Sequence, residues 1–291
     1  RFILIFSVPY LSVFAQNTEI KYLSGTGADN TVEWKFFCSA GMNSGKWTTI
    51  AVPSCWEQQG FGAYNFGREE LEGRLNETGT YKYQFIIPPS WKNKSIDIVF
   101  EGVMTDAEVK INGKPAGPIH QGSFYPFKYN INHLIRWEHE NELEVFVKKH
   151  SDNMGINESE RHADYWVFGG IFRPVYLVAK PIEHIDRVAI DAHANGDFQA
   201  NVHTLGIKNT VKVAVEIRTL EGKTEARFES WVIDSVTQLY GRLSTIKTWS
   251  PEFPNLYDAV FILLDKHNLP IHQVSERIGF RTIKVCESDG I

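Results

Sequence analysis

Apolar and polar positions alternate with period two along nearly every patterned stretch of this chain. Tyr81, Tyr83, Phe85 and Ile87 alternate with Lys82, Gln84 and Ile86. Ile96, Ile98 and Phe100 are interleaved with Asp97, Val99 and Glu101, and Leu143, Val145 and Val147 with Glu144, Phe146 and Lys148. Side chains on a strand point alternately to opposite faces, so each run predicts a strand with one face buried. Val109 and Ile111 run into Asn112-Gly113, a pair that favours the left-handed backbone of a tight hairpin. Val175, Leu177 and Ala179 close this first series. One short helical turn is predicted near His133–Trp137, and nothing longer reads as helix.

Lys180-Pro181 interrupts the pattern, which places a domain boundary near Ile182. A second series follows. Val188, Ile190 and Ala192 precede the turn Asn195-Gly196-Asp197, and Phe198, Ala200 and Val202 follow it. Val211, Val213, Val215 and Ile217 precede Glu221-Gly222, with Ala226 and Phe228 beyond. Val260, Ile262 and Leu264 predict a late strand, and Ile278, Phe280 and Ile283 lie near the end. Many short strands joined by turns predict an all-β chain of two sandwiches: residues 16–182, then 183–291, the latter with about seven strands as in an immunoglobulin-like sandwich.

A chain of 291 residues suits two such domains. Its net charge of -5 and the lack of a long basic run argue against nucleic acid as a partner. The 8 Trp, 11 Tyr and 19 Phe suit sandwich cores and sugar-contacting surfaces alike, so they do not choose between them. Residues 2–14 are almost wholly apolar but too few to span a bilayer as a helix, which takes about 20. With small residues at Val13 and Ala15, this stretch reads as a partial signal peptide over residues 1–15. The product is therefore expected to be exported, to a periplasm or the extracellular space, with no transmembrane segment. Cys38, Cys55 and Cys286 are too few for a disulfide framework, and whether Cys38 and Cys55 pair is open.

The sequence contains no GxSxG elbow, HExxH helix, phosphate-binding loop or paired CxxC. His162, near Arg161 and Asp164, reads as a surface or capping residue. The pairs Asn76-Glu77, Asn141-Glu142 and Asn157-Glu158 read as turn or strand-start positions, and Glu69-Glu70-Leu71-Glu72 as a solvated loop. Four segments are more specific. The first is VPSCW (52–56) followed by GFGAYN (60–65). The second is GTYKYQF (79–85) with FEGV (100–103) and VKINGK (109–114). The third is DYWVFGGIFRPV (164–175), and the fourth is WSPEFPNLY (249–257) ending in GFR (279–281).

In this order the four segments resemble the N-terminal region of glycoside hydrolase family 2, over about residues 45–285. The resemblance implies a jelly-roll "sugar-binding" domain, then an immunoglobulin-like sandwich, then a catalytic (β/α)8 barrel that is absent from this chain. It implies a parent enzyme, a β-galactosidase-like exo-glycosidase that hydrolyses O-glycosyl bonds of β-linked oligosaccharides or glycosides with retention, using two Glu side chains. No catalytic residue is expected within this chain, which is expected to be inactive by itself and to brace its own C-terminal barrel. Asp164 and Asn65 are the residues implied to line the sugar pocket, Asp164 with a sodium ion (or Mg²⁺) in the full-length enzyme. Arg173, Gly169, Gly170 and Trp249 are implied to be structural. The oligomeric state is open and a homo-oligomer is allowed. The alternative reading is a stand-alone carbohydrate-binding module.

Overall fold

Alternation of the kind in Trp34–Phe36–Cys38 and Leu143–Val145–Val147 puts one row of side chains indoors and the other in water, and strands form where two such rows can face each other. The computed structural model describes residues 16–70 and 73–285. Residues 1–15, on which the signal-peptide expectation falls, Leu71 and Glu72 of the acidic run, and Cys286 lie outside the described residues. The first strands are β1 (Gln16–Asn17), β2 (Glu19–Tyr22), β3 (Val32–Cys38), β4 (Trp47–Val52), β5 (Asn65–Phe66) and β6 (Thr78–Phe85). They are followed by β7 (Lys94–Phe100), β8 (Asp106–Ile111), β9 (Lys114–Pro115), β10 (Phe127–Asn130), β11 (Asn141–Lys148), β12 (Trp166–Val167) and β13 (Val175–Pro181). The chain then continues through β14 (His184–Ala192), β15 (Asp197–Leu205), β16 (Thr210–Thr219), β17 (Thr224–Trp231), β18 (Val236–Arg242), β19 (Tyr257–Asp265) and β20 (Pro270–Ile278). No helix among the described residues is long and apolar enough to cross a membrane.

Two compact units emerge. One is Glu19–Ala179, and the other comprises, among the described residues, 16–18 and 180–285. In the first, a six-stranded sheet (β4-β3-β6-β11-β8-β9) and a four-stranded sheet (β10-β7-β13-β2) share one core. Trp34, Phe36, Tyr81 and Val145 reach into it from one sheet, and Ile96, Ile98, Phe100 and Leu177 from the other. Burial of such aromatic and aliphatic side chains is worth roughly 1.5–3 kcal/mol each before chain entropy is counted. In the second unit, a three-stranded sheet (β14-β15-β18) and a five-stranded sheet (β1-β20-β19-β16-β17) enclose Phe198, Val202, Leu239, Val215 and Phe261. The two-residue β1 pairs in parallel with β20, Gln16 opposite His272.

No helix forms at residues 133–137. The buried Asn141 side chain accepts from Arg136 N–H at 2.8 Å and donates to the carbonyls of Arg136 and His139, both at 3.1 Å, so those backbone groups are held in turns. The α-helix α1 is instead Met154–Glu160, with Asn153 as N-cap accepting from Gly155 N–H. Cys38 and Cys55 are both free thiols, and burial, reinforced by the Glu57 carboxylate, pushes Cys55 up to about 11.

Candidate functional site

Two loops of the first unit meet in the short ladder β5–β12, with Phe66 opposite Trp166 and Asn65 opposite Val167. The approach depends on Gly67: a Cβ there would lie 2.3 Å from the carbonyl oxygen of Ala163. Gly67 N–H instead donates to Tyr165 O at 2.8 Å. The join exposes aromatic edges. Tyr64 and Trp166 are each 51% exposed, with ring centroids 6.0 Å apart and nearly perpendicular planes. Phe66 packs on Trp166 at 5.3 Å, and Phe168 on Tyr64 at 6.1 Å.

Asp164 stands exposed at the lip of this aromatic surface, with no hydrogen-bond or ionic partner among the described residues. Asn65 belongs to the same ladder, but it is buried and its amide donates to Leu75 O at 2.8 Å. The structure thus brings the two residues implied to line a sugar pocket together. It leaves Asp164 open to a ligand and commits at least the Asn65 amide to its own loop.

Beneath this surface lies a network of buried charges of which only Glu77, as a turn or strand-start position, figures in the sequence reading. Lys149 Nζ is 2.8 Å from Glu57 Oε1 and 2.9 Å from Glu77 Oε1, and all three side chains are fully buried. Ala63 O takes a third Lys149 bond, and Ala63 N–H and Trp56 Nε1–H donate to Glu77. Both Glu57 carboxylate oxygens accept from Gly169 N–H at 3.1 Å. Burial pushes the Glu57 carboxyl up, and Lys149 with the Gly169 amide holds it back. The glycine is needed because a Cβ at 169 would sit 2.1 Å from the Trp56 ring. Gly170 has φ +123°, and a Cβ there would lie 2.8 Å from Ser54 O. Tyr64 is tied to the same assembly through its hydroxyl, which donates to Glu57 O at 3.1 Å.

Two buried arginines clasp the loops from below. Arg74 donates to the carbonyls of Glu69, Gly67 and Arg161. Arg161 donates to Phe168 O at 3.0 Å and to Ser123 Oγ at 3.1 Å, and burial brings it down to about 10. Arg173 donates to Phe124 O at 3.0 Å and lies over the Phe172 ring. In the second unit, Trp249 stacks on Arg281 at 5.0 Å, and a Cβ on Gly279 would strike it. His162 is exposed, 3.8 Å from Glu158 on α1.

Chemically, the exposed surface offers aromatic faces and one free carboxylate, which suit contact with a hydroxyl-rich ligand. Glu57 and Glu77, the carboxylates the structure does gather, are sealed from solvent and share Lys149 as their ionic partner, so they cannot reach a substrate. Glu142 pairs with Lys82 at 3.5 Å. Among the described residues no three His, Cys, Asp or Glu side chains gather to hold a metal, so these residues do not build a cation site around Asp164 by themselves.

Comparison with known proteins sets this geometry in context. Residues 28–181 match the model of the glycosyl hydrolases family 2 sugar binding domain, and residues 183–281 match a second model of glycosyl hydrolases family 2. A beta-galactosidase of Clostridium acetobutylicum is 33% identical over 250 residues, which are 80% of this chain and 27% of that protein. A beta-galactosidase of Vibrio cholerae is 29% identical over 265 residues, 83% of this chain and 25% of that protein. The chain therefore spans about a quarter of the length of these curated relatives. Among solved structures, a Bifidobacterium dentium beta-glucuronidase complexed with coumarin-3-O-glucuronide superposes with a TM-score of 0.72 at 20% identity, covering 92% of this chain and 49% of that one. A Bacteroides uniformis beta-glucuronidase superposes with a TM-score of 0.70 at 20% identity, covering 90% and 32%. These structural likenesses show the fold.

Proposed function

This chain belongs to glycosyl hydrolase family 2, and from that premise we propose that it is the non-catalytic front part of a β-galactosidase-like exo-glycosidase acting on β-linked sugars with retention. Its two sandwiches brace a catalytic barrel, and the β5–β12 loops supply one wall of the sugar pocket. The observation that carries this reading is Asp164: a carboxylate with no partner in its own unit, set among exposed aromatic rings on loops that buried Lys149, Arg74 and Arg161 hold in place. Glu57 and Glu77, by contrast, are spent on the fold. Asp164 is free to accept two hydroxyls of a terminal sugar. A cation there would need further oxygen ligands from sequence beyond this chain. Glycosyl transfer needs an acid and a nucleophile about 5–5.5 Å apart for retention, and both would come from the barrel. The apolar leader is proposed to direct export, with cleavage before Gln16.

The test compares the full-length protein with the 291-residue chain on a chromogenic β-galactoside. The full-length protein should hydrolyse it with retention at the anomeric carbon, seen by proton NMR, and the chain alone should not. Hydrolysis by the chain alone would overturn the reading. A second reading, a stand-alone carbohydrate-binding module, draws on the exposed Tyr64 and Trp166. Oligosaccharide binding by the isolated chain that is lost in Trp166→Ala would favour it.

A further inference from the structure

We propose that the outer face of the six-stranded sheet is a carbohydrate platform, separate from the loops around Asp164, which holds a neutral β-linked polysaccharide chain through Trp47, Phe37 and Phe146. Strand register builds it. Trp47 on β4 lies opposite Phe37 on β3, Phe37 opposite Thr80 on β6, Thr80 opposite Phe146 on β11, and Phe146 opposite Glu108 on β8. Cross-strand partners share a face, so these residues form one row across five strands. The face is not the core face, because the flanking Phe36, Tyr81 and Val145 are the buried ones. Two residues along, the same register lays down a second row of Thr49, Lys35, Lys82, Glu144 and Lys110.

Trp47 is 52% exposed, its ring centroid is 5.7 Å from that of Phe37, and Lys82 Nζ lies 5.9 Å from it. Lys82 in turn sits 2.8 Å from Glu144. Cross-strand aromatic pairing joins Phe37 to Trp47, whereas Phe146 lies opposite Thr80 and Glu108. The pairing still leaves half of Trp47 exposed on an edge strand, a position where exposed apolar surface invites unwanted association. Lys35, Lys82 and Lys110 on the polar row are offset by Glu144 on it and by Glu142 and Glu108 beside it, with Lys82 paired to Glu142 and Glu144 and Lys110 to Glu108. The face therefore carries little net charge and does not suit a polyanion, whether nucleic acid or acidic lipid. The aromatic row is one ring wide and broken by Thr80, too narrow for a protein interface of about 1,000 Å². A pyranose matches both rows, with its C–H face on an aromatic ring and its hydroxyls on lysine and glutamate. Strands lie about 4.8 Å apart, so Trp47 and Phe146 are separated by about 14 Å, which calls for a chain of sugars and not one residue. The whole row falls within residues 28–181, the segment matched by a sugar binding domain model.

The experiment is native electrophoresis of the 291-residue chain through gels containing soluble galactan, xyloglucan or mixed-linkage glucan. The chain should be retarded in at least one gel. Trp47→Ala and Phe146→Ala should each weaken that binding about tenfold. Trp47→Tyr, which keeps a ring at an exposed site, should retain it, and Asp164→Asn should leave it unchanged. No retardation in any gel overturns the proposal, as does retardation that survives in the double variant Trp47→Ala, Phe146→Ala. A drop in molar mass on Trp47→Ala by light scattering also overturns it, since the face would then be a contact between copies of the chain. The Asp164→Asn control separates this result from any failure of the pocket-wall reading.

Discussion

The ammonium of Lys149 lies 2.8 Å from the carboxylate of Glu57, and neither side chain touches solvent. Lys149 is on the segment just after β11, Glu57 on the turn after β4, and Gly169 N–H completes the carboxylate's bonds from a third segment. The pair therefore pins three distant pieces of chain beneath the exposed aromatic loops. Breaking a buried ion pair by removing one partner typically costs about 3–5 kcal/mol, because the other charge is left uncompensated. Lys149→Met strands two carboxylates. It should lower the unfolding free energy of the first unit by an amount in that range or above, measured by urea titration followed by circular dichroism. The double variant Lys149→Met, Glu57→Gln should recover part of the loss.

Glu183 predicts an acid-sensitive second unit. Its carboxylate accepts from the backbone N–H groups of Lys208, Asn209 and Thr210 and from the Thr210 hydroxyl. Burial pushes the carboxyl up, but these four donors outweigh it and bring it to about 2 from an ordinary 4.5. A carboxyl depressed on folding stabilises the fold above its unfolded value and loses that contribution as pH falls through the folded one. The window is therefore pH 4.5 down to 2, and the contribution is on the order of 3 kcal/mol. Glu183→Gln, which replaces an acceptor oxygen by a donor, should lose it at neutral pH and flatten the stability profile in that window.

His272 acts in a higher window. Burial first, then the nearby His184 and Lys180, lower it to about 4 from 6.5. Ile185 N–H donates to Nδ1 at 3.1 Å, so the ring proton sits on Nε2, 3.1 Å from Thr18 Oγ1. The unfolded chain binds a proton at this ring below pH 6.5 while the folded one resists it. Stability is full above 6.5 and declines as pH falls from 6.5 to 4. His272→Gln should reduce the slope of melting temperature against pH in that interval for the second unit. His150, held near 4 by burial and by Arg161, gives the first unit a slope of its own that the substitution leaves in place.

These predictions rest on residues that differ in how far the sequence discloses them. Alternation reveals β6, β11 and β16 because their central inward positions, such as Tyr81, Leu143, Val145, Val213 and Val215, are apolar, with the polar Asn141 and Thr210 confined to the strand starts. In β18 the inward positions are Thr237 and Leu239, and the polar Thr237 hides the period. β3 carries as clean an alternation as any and adds a strand to the series expected from Tyr81 onward. The helix α1 has Gly155 near its start, no apolar stripe and only seven residues, so it forms through its Asn153 cap and the buried Asn157, which bonds Ser151. At the site, Asp164 and Asn65 are legible through motif resemblance, and Gly169 through the unusual Gly-Gly pair. Lys149, Glu57, Glu77, Arg74 and Arg161 are not, because a charged side chain is ordinarily exposed and nothing in the local sequence marks partners dozens of residues apart.

Asp164 separates folding from recognition. It is exposed and makes no bond within its unit, so Asp164→Asn should shift the chain's urea stability by no more than about 0.5 kcal/mol. Gly67→Ala is the contrasting change on the facing loop: its Cβ would lie 2.3 Å from Ala163 O and 3.0 Å from Tyr165 O, both backbone atoms that cannot swing aside. Forcing them apart should open the β5–β12 ladder and displace Asp164 without touching its carboxylate. In the full-length protein, Asp164→Asn should lower kcat/KM for a β-galactoside by about 10- to 100-fold, the worth of a hydrogen bond to a charged group. Gly67→Ala should lower it as well, but with a loss of amide protection at residues 163–167 that Asp164→Asn lacks. If Asp164→Asn destabilises the isolated chain as much as Gly67→Ala does, the carboxylate is bonded within its own loop, and its place as a free sugar acceptor is lost.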